Sequence, residues 1–247
     1  MKILASDYDG TLNEGWVDDE KRAAVARWRE AGNLFGIISG RGIRNIMDLM
    51  EEDGITCDFL IGDNGASIAR GNGEVISEAL CDGQVAREII EYFFSRGCNW
   101  CWVRPYPEKI VLPEGSDPKP WECTPSTLPK IDKFTQISAA FTEADMAKES
   151  AEKLREIYGE ELNFLQNGNC IDIVRSDVNK AVGIYKLMEA VRGKYEDVIT
   201  VGDNYNDADM IREFRSYAMD NAVPLIKELA NATTKSVTEL IYRELEE

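Results

Sequence analysis

The chain has 247 residues, 44% of them hydrophobic and 30% charged, which suits a soluble globular protein of one large domain or two modest ones. A formal net charge of −17 disfavours general binding to nucleic acid or anionic membrane, since both present phosphate charge, although a local basic pocket can still hold a small phosphate. The chain has no histidine, which removes Ser-His-Asp triads, Cys-His pairs, histidine-based phosphoryl transfer and H-E-x-x-H zinc sites, and leaves acid–base work to Asp, Glu, Lys, Tyr or Cys.

The N-terminal "MKILASDYDG" has one lysine, a very short apolar stretch and then acids, unlike a signal peptide, and no apolar run approaches membrane-spanning length. The six cysteines, Cys57, Cys81, Cys98, Cys101, Cys123 and Cys170, therefore read as reduced thiols of a cytoplasmic protein.

Four short apolar runs share one layout: "KILAS" into Asp7, "NLFGII" into "SGR", "DFLIG" into "DNGA", and "DVITV" into "GDNYND". Continuous apolar runs suit strands buried on both faces, and each ends in a polar cluster. Helical patterns lie between them. "DDEKRAAVARWREAG" closes at Gly32, "IRNIMDLMEEDG" closes at Gly54, and Asn179 to Arg192 is expected to close at Gly193. Ser236 to Glu239, "SVTE", has capping-box spacing. This alternation predicts a doubly wound parallel α/β sheet, whose ligands bind beyond the carboxyl ends of the strands.

The middle of the chain differs. "SIARGNGEVISEA" predicts a hairpin turning at "GNG", and "DGQVAREIIEYFFSRG" a helix closing at Gly97. "CNWC" matches C-x-x-C but sits in a strand-like "CNWCWV" instead of opening a helix, and no second C-x-x-C completes a zinc site. Nearly all the prolines fall between Pro105 and Pro129, predicting an irregular lid or loop. "FTQISAAF" reads as a strand, "TEADMAKESAEKLREIYG" as a helix capped by Thr142 and ended by Gly159, and "LNFLQN" and "CIDIVR" as two further strands. The predicted organisation is a core from residues 1–80 and 172–247, with an α+β insert from 81–171.

"DYDGTLN", Asp7 to Asn13, places two carboxylates two positions apart just after a strand. Alone it also describes an Asx turn. Three further elements change the balance: "SGR" at Ser39 to Arg41, Lys180 opening a helix after the insert, and "GDNYND" at Gly202 to Asp207. Together with "NGASI" and "YAMDNAVPLIKELA", these ordered motifs resemble the haloacid dehalogenase (HAD) superfamily, specifically the Cof-type phosphatases with a C2-class cap, over most of the chain.

The resemblance implies a HAD-like Rossmannoid core and a Mg²⁺-dependent phosphatase. Asp7 would be the nucleophile, forming an aspartyl-phosphate, and Asp9 the general acid and then base, with its backbone carbonyl on the metal. Asp203 would be a metal carboxylate and Asp207 a further ligand, direct or through water; the bland reading of both is a polar turn and helix cap. Mg²⁺ prefers oxygen ligands and offsets the repulsion between a carboxylate and a phosphate dianion. Ser39 and the Gly40 backbone N–H would hold phosphoryl oxygens, although a serine before a helix is often only an N-cap. Arg41 would touch phosphate or support the site through an ion pair, and Asn206 would support phosphate or Lys180. Lys180 lies in the first helical turn, where the helix dipole offers a cation nothing, a placement that suits anion binding. Thr11 would hold the turn or touch phosphate.

The implied cap would cover the site and select the leaving group. Trp100, Trp102, Tyr106 and Trp121 could wall a pocket or simply pack, and Arg104, Lys109 and Lys119 are candidates for a second anionic group. The expected substrate is a small phosphorylated metabolite such as a sugar phosphate. A sugar phosphomutase and a non-catalytic binder of a phosphorylated ligand are the alternatives.

Overall fold

The computed structural model describes residues 1–104, 108–191 and 197–246. The chain divides into two compact units, one from Met1–Glu78 with Asn179–Glu247, the other from Ala79–Val178. The first unit begins with β1 (Ile3–Asp7), α1 (Asp19–Glu30), β2 (Leu34–Ile38), α2 (Ile43–Asp53), β3 (Phe59–Gly62), β4 (Ser67–Arg70) and β5 (Val75–Glu78). The second unit follows, with β6 (Cys81–Asp82), α3 (Gln84–Ser95), β7 (Trp100–Arg104), β8 (Lys109–Val111), β9 (Glu122–Cys123), β10 (Lys133–Phe134), β11 (Gln136–Ala140), α4 (Ala144–Tyr158), β12 (Leu162–Asn167) and β13 (Cys170–Arg175). The chain then returns with α5 (Lys180–Val191), β14 (Val198–Gly202), α6 (Ala208–Glu213), β15 (Arg215–Met219), α7 (Pro224–Leu229), β16 (Ala232–Thr234) and α8 (Val237–Glu246).

The eight strands of the first unit form one sheet in the order β16-β15-β14-β1-β2-β3-β4-β5. From β16 to β3 the pairing is parallel, and β4 and β5 close the edge as an antiparallel hairpin. Every residue of the two central strands β1 and β14 is buried, as their unbroken apolar runs require when helices cover both faces. Trp28 of α1 is fully buried and its indole donates to the Leu34 carbonyl at 2.9 Å, so one side chain both fills the core and ties α1 to the start of β2. Each large aliphatic side chain fully withdrawn from water here contributes about 1.5–3 kcal/mol. The Asp18 carboxylate accepts from the Lys21 N–H at 2.8 Å and caps α1, and α2 ends on left-handed Gly54.

Register positions the chemistry. Asp7 pairs with Ile38 across β1 and β2, and Ser6 pairs with Val201 across β1 and β14. The residues that follow those strands, Ser39 and Asp203, are therefore delivered to the same carboxyl edge as Asp7.

The second unit has its own sheet, ordered β12-β13-β11-β7-β8-β9, and a ribbon of β6 with β10. The sheet is antiparallel except for β8 with β9. Its buried side, including Cys101, Val103, Ile137 and Ile173, shares a core with Ile89, Ile90 and Phe93 of α3 and Ala147 and Leu154 of α4. This core is separate from that of the first unit.

Four expectations change. The second unit spans Ala79–Val178, not 81–171, and β13 belongs wholly to it, pairing along its length with β12 and from Cys170 to Ile173 with β11. The proline-rich stretch is not wholly irregular: β8 and β9 pair within it, and Pro125–Thr127 form a 3-10 turn capped by Thr124. Helix α4 is capped at Glu143 with no side-chain bond, while Thr142 turns its hydroxyl to Asn99. Two strands, β15 and β16, extend the core sheet beyond the four foreseen. Gly193 and Tyr106 lie outside the described residues.

Candidate active site at the carboxyl edge of the sheet

The two acids of "DYDGTLN" meet opposite environments. Asp7, the last residue of β1, is buried, whereas Asp9 is exposed in the turn that follows. That turn is held by its own backbone, with the Asn13 N–H on the Tyr8 carbonyl at 2.8 Å and the Gly10 N–H on the Asn13 carbonyl at 2.9 Å. Gly10 has φ +82°, and a Cβ there would lie 2.6 Å from Oδ2 of Asp203, so glycine is needed both for conformation and for space.

Lys180 is the first residue of α5 and is fully buried. The Asn179 side chain caps this helix by accepting from the Val182 N–H at 2.9 Å. The Lys180 ammonium donates to Oδ1 of Asp7 at 2.6 Å and to Oδ1 of Asp207 at 2.5 Å. Burial alone would lower its pKa, but the charges of Asp207 and Asp7 outweigh that and hold it above the ordinary lysine value. Burial pushes the Asp7 carboxyl well above the usual range; Lys180 opposes this, and the neighbouring charges of Asp207 and Asp203 add to it.

Asp207 is fully buried in a 3-10 turn before α6. Its Oδ2 accepts from the N–H groups of Asp203 and Asn204 at 2.9 and 3.0 Å, so the side chain fixes the loop as well as Lys180. Asp203 accepts from the Thr11 hydroxyl at 3.0 Å, which gives Thr11 a partner across the two motifs. Burial, then the charge of Asp207, pushes the Asp203 carboxyl up to about 6.

Carboxylate oxygens of Asp7, Asp203 and Asp207 lie within 4.8 Å of one another. Three acids against one ammonium leave local negative charge unbalanced when all ionise, which adds to the burial that raises the Asp7 and Asp203 carboxyls. An all-oxygen donor set with that surplus fits a hard divalent cation.

Ser39 follows β2 and is buried. Its N–H donates to the Ile61 carbonyl at 2.9 Å and its hydroxyl oxygen accepts from the Arg41 N–H at 3.2 Å. It is not a helix cap, since α2 begins after Gly42. Gly40 sits between Ser39 and Arg41 in this loop, half-buried. Arg41 forms a two-bond fork with Asp9, both at 2.7 Å, and also donates to Asn45 at 2.9 Å. Asn206 donates its amide to Oδ1 of Asn64 at 3.1 Å. Asn64 is a residue to which sequence reasoning assigned no role, although it lies in the "NGASI" run.

The aromatic and basic candidates of the second unit have local partners. Trp100 and Trp102 stand 6.1 Å apart, centroid to centroid, and Arg104 lies 5.5 Å from the Trp102 ring centre. Arg104 is also engaged by Glu108 and Ser138. Lys119 stands over Trp121, which is exposed. Lys109 is half-buried in β8.

A family described as haloacid dehalogenase-like hydrolase matches residues 4–240. A 5-amino-6-(5-phospho-D-ribitylamino)uracil phosphatase of Bacillus subtilis is 26% identical over 244 residues, covering 95% of this chain and 90% of its own. A phosphoglycolate phosphatase of Metallosphaera sedula is 25% identical over 246 residues, covering 95% of this chain and 92% of its own. Among solved structures, a haloacid dehalogenase-like hydrolase from B. subtilis superposes with a TM-score of 0.82 at 20% identity, covering 98% of this chain and 99% of its own.

Proposed function

The chain belongs to the haloacid dehalogenase-like hydrolases, and from that premise we propose that it is a Mg²⁺-dependent phosphatase that hydrolyses a small phosphate monoester through an aspartyl-phosphate on Asp7. The observation that carries this reading is the buried Lys180 ammonium bonded to both Asp7 and Asp207, with Asp203 beside them. A charged lysine held in the core next to a strand-end carboxylate is a large desolvation burden for a merely structural contact, and it suits a site that must receive an anion.

Asp7 and Asp203 would hold Mg²⁺, with the Asp9 carbonyl and a water-bridged Asp207 completing the protein's share, because both Asp207 oxygens already serve Lys180 and the loop amides. Bound there, the ion would neutralise charge between carboxylate and phosphate. An Asp7 oxygen attacks phosphorus while the bond from phosphorus to the leaving oxygen breaks, and Asp9 gives that oxygen a proton. Asp9 then takes a proton from water, whose oxygen attacks the same phosphorus, releasing inorganic phosphate and restoring Asp7. Lys180 orients Asp7 and balances charge on the transferred group. Ser39 and the Gly40 N–H hold phosphoryl oxygens, and Asn206 supports them. Arg41 orients Asp9, and the fork must open before Asp9 reaches a leaving group. The second unit is read as the C2-type cap that selects the substrate.

The test is turnover of p-nitrophenyl phosphate with Mg²⁺ or with EDTA. Metal-dependent release of inorganic phosphate without a bisphosphate activator is expected, and it decides against a phosphomutase. No turnover of this or of any member of a phosphate-monoester panel would favour a non-catalytic binder.

A further inference from the structure

We propose that Asn64 is a positioning residue of the phosphate site, fixing the Asn206 amide from a buried, left-handed turn that also joins the loop carrying Ser39 to the start of α5, which carries Lys180. This rests on the phosphatase reading of the site and adds a residue to it.

Among the described residues, Asp63 and Asn64 are the non-glycine residues with positive φ, at 51° and 52°. Both are buried, Asn64 completely. Left-handed backbone disfavours side chains, and buried examples gather where surrounding structure has a use for them. Here the turn is tied on three sides. The Asn64 N–H donates to the Ser39 carbonyl at 3.0 Å, and the Asp63 N–H to the Arg41 carbonyl at 2.9 Å. The next residue, Gly65, has φ +104° and lies against the Asn179 carbonyl, one position before Lys180. A Cβ on Gly183 would stand 2.8 Å from the Gly65 Cα, so the start of α5 is seated directly on the turn. Finally, Oδ1 of Asn64 takes one amide proton of Asn206, a residue 142 positions away.

If the turn served only the fold, glycine would keep the backbone, which it adopts freely, and the loss of the buried bond would show in Tm and not in phosphate binding. If the side chain positions Asn206, glycine keeps the backbone and loses the function. The two roles therefore separate in one variant. The bond to Asn64 fixes the plane of the Asn206 amide, and its second amide proton is the one this proposal assigns to a phosphoryl oxygen.

The experiment compares wild type, Asn64→Gly, Asn206→Ala and the double variant. It measures Tm, kcat and KM for p-nitrophenyl phosphate with Mg²⁺, and calorimetric Kd for orthovanadate with Mg²⁺. Asn64→Gly should stay folded with a modest fall in Tm, from the lost buried bond and the space it leaves, while kcat/KM falls about 10- to 100-fold and orthovanadate binds more weakly. The double variant should lose little beyond Asn206→Ala, because both changes remove one coupled arrangement. The proposal is overturned if Asn64→Gly retains wild-type kcat/KM and orthovanadate affinity, or if the two single losses multiply in the double variant. If the wild type turns over no monoester, the phosphatase reading fails. Orthovanadate affinity then decides the positioning claim, which also falls if the wild type binds none.

Discussion

Replacing Lys180 with methionine keeps the apolar stem and deletes the ammonium. The side chain is fully buried, and its nitrogen lies 2.6 Å from Asp7 and 2.5 Å from Asp207, which are themselves buried. Removing one partner of such a cluster leaves carboxylates in a low-dielectric site without a counter-charge, at a cost of about 3–5 kcal/mol. Some of that is recovered by protonation. In the variant the folded carboxylates hold protons more tightly than the unfolded ones, so its stability must fall as pH rises and the deficit must be smaller at low pH. The assay is urea unfolding followed by tryptophan fluorescence, in EDTA, at pH 7 and at pH 5. Catalysis should suffer separately: loss of a preorganised positive group beside the transferred phosphoryl lowers kcat/KM by about 10²–10³. A variant within about 1 kcal/mol of wild type at pH 7, with kcat/KM also intact, would show that Lys180 is neither the counter-charge nor the anion-binding group, since a buried ion cluster cannot be dispensable on both counts.

Asp203→Asn should raise the Mg²⁺ concentration needed for half-maximal activity at least about 10-fold, measured by metal titration. The Asp203 carboxyl, at about 6 through burial and then the charge of Asp207, makes the metal-free fold bind more protons than the unfolded chain between the ordinary aspartate value and 6. Metal-free stability therefore falls as pH rises through that window, and the Mg²⁺-induced rise in Tm should grow from pH 5 to pH 7; a flat or opposite trend removes Asp203 from the metal site. Gly10→Ala, with φ +82° and a Cβ 2.6 Å from an Asp203 oxygen, should destabilise by about 1–3 kcal/mol in urea and reduce activity. Arg41→Gln breaks a half-exposed fork, so stability should change by under about 1 kcal/mol. Its kcat should nonetheless fall about 10-fold if the fork orients Asp9. Equal Tm and equal kcat would leave Arg41 a surface ion pair.

The carboxyl edge was legible because four buried strands announce themselves as apolar runs, and because their polar ends need only parallel register to converge. Asp7 with Ile38 and Ser6 with Val201 are such pairings. The added strands β15 and β16 were not legible: "RSYAM" mixes polar and apolar residues, and "ATT" is too short to show a period. Partners across the fold were likewise hidden. Nothing local assigns Thr11 to Asp203, or Asn64 to Asn206, since 192 and 142 residues separate the pairs. The left-handed pair at Asp63 and Asn64 did leave a trace, because Asp-Asn-Gly is the composition that tolerates positive φ. Thr142 failed as a cap because its position one residue outside the observed cap sends its hydroxyl to Asn99.

The phosphatase reading stands on covalent chemistry at Asp7. Acid-quenching the protein during Mg²⁺-dependent turnover of a good substrate, then mapping peptides by mass spectrometry, tests it directly. A hydroxylamine-labile phosphoryl group is expected on the peptide bearing Asp7, absent in Asp7→Asn, whose turnover is also abolished. Full activity in Asp7→Asn, or a phosphoryl group on another residue, would contradict it.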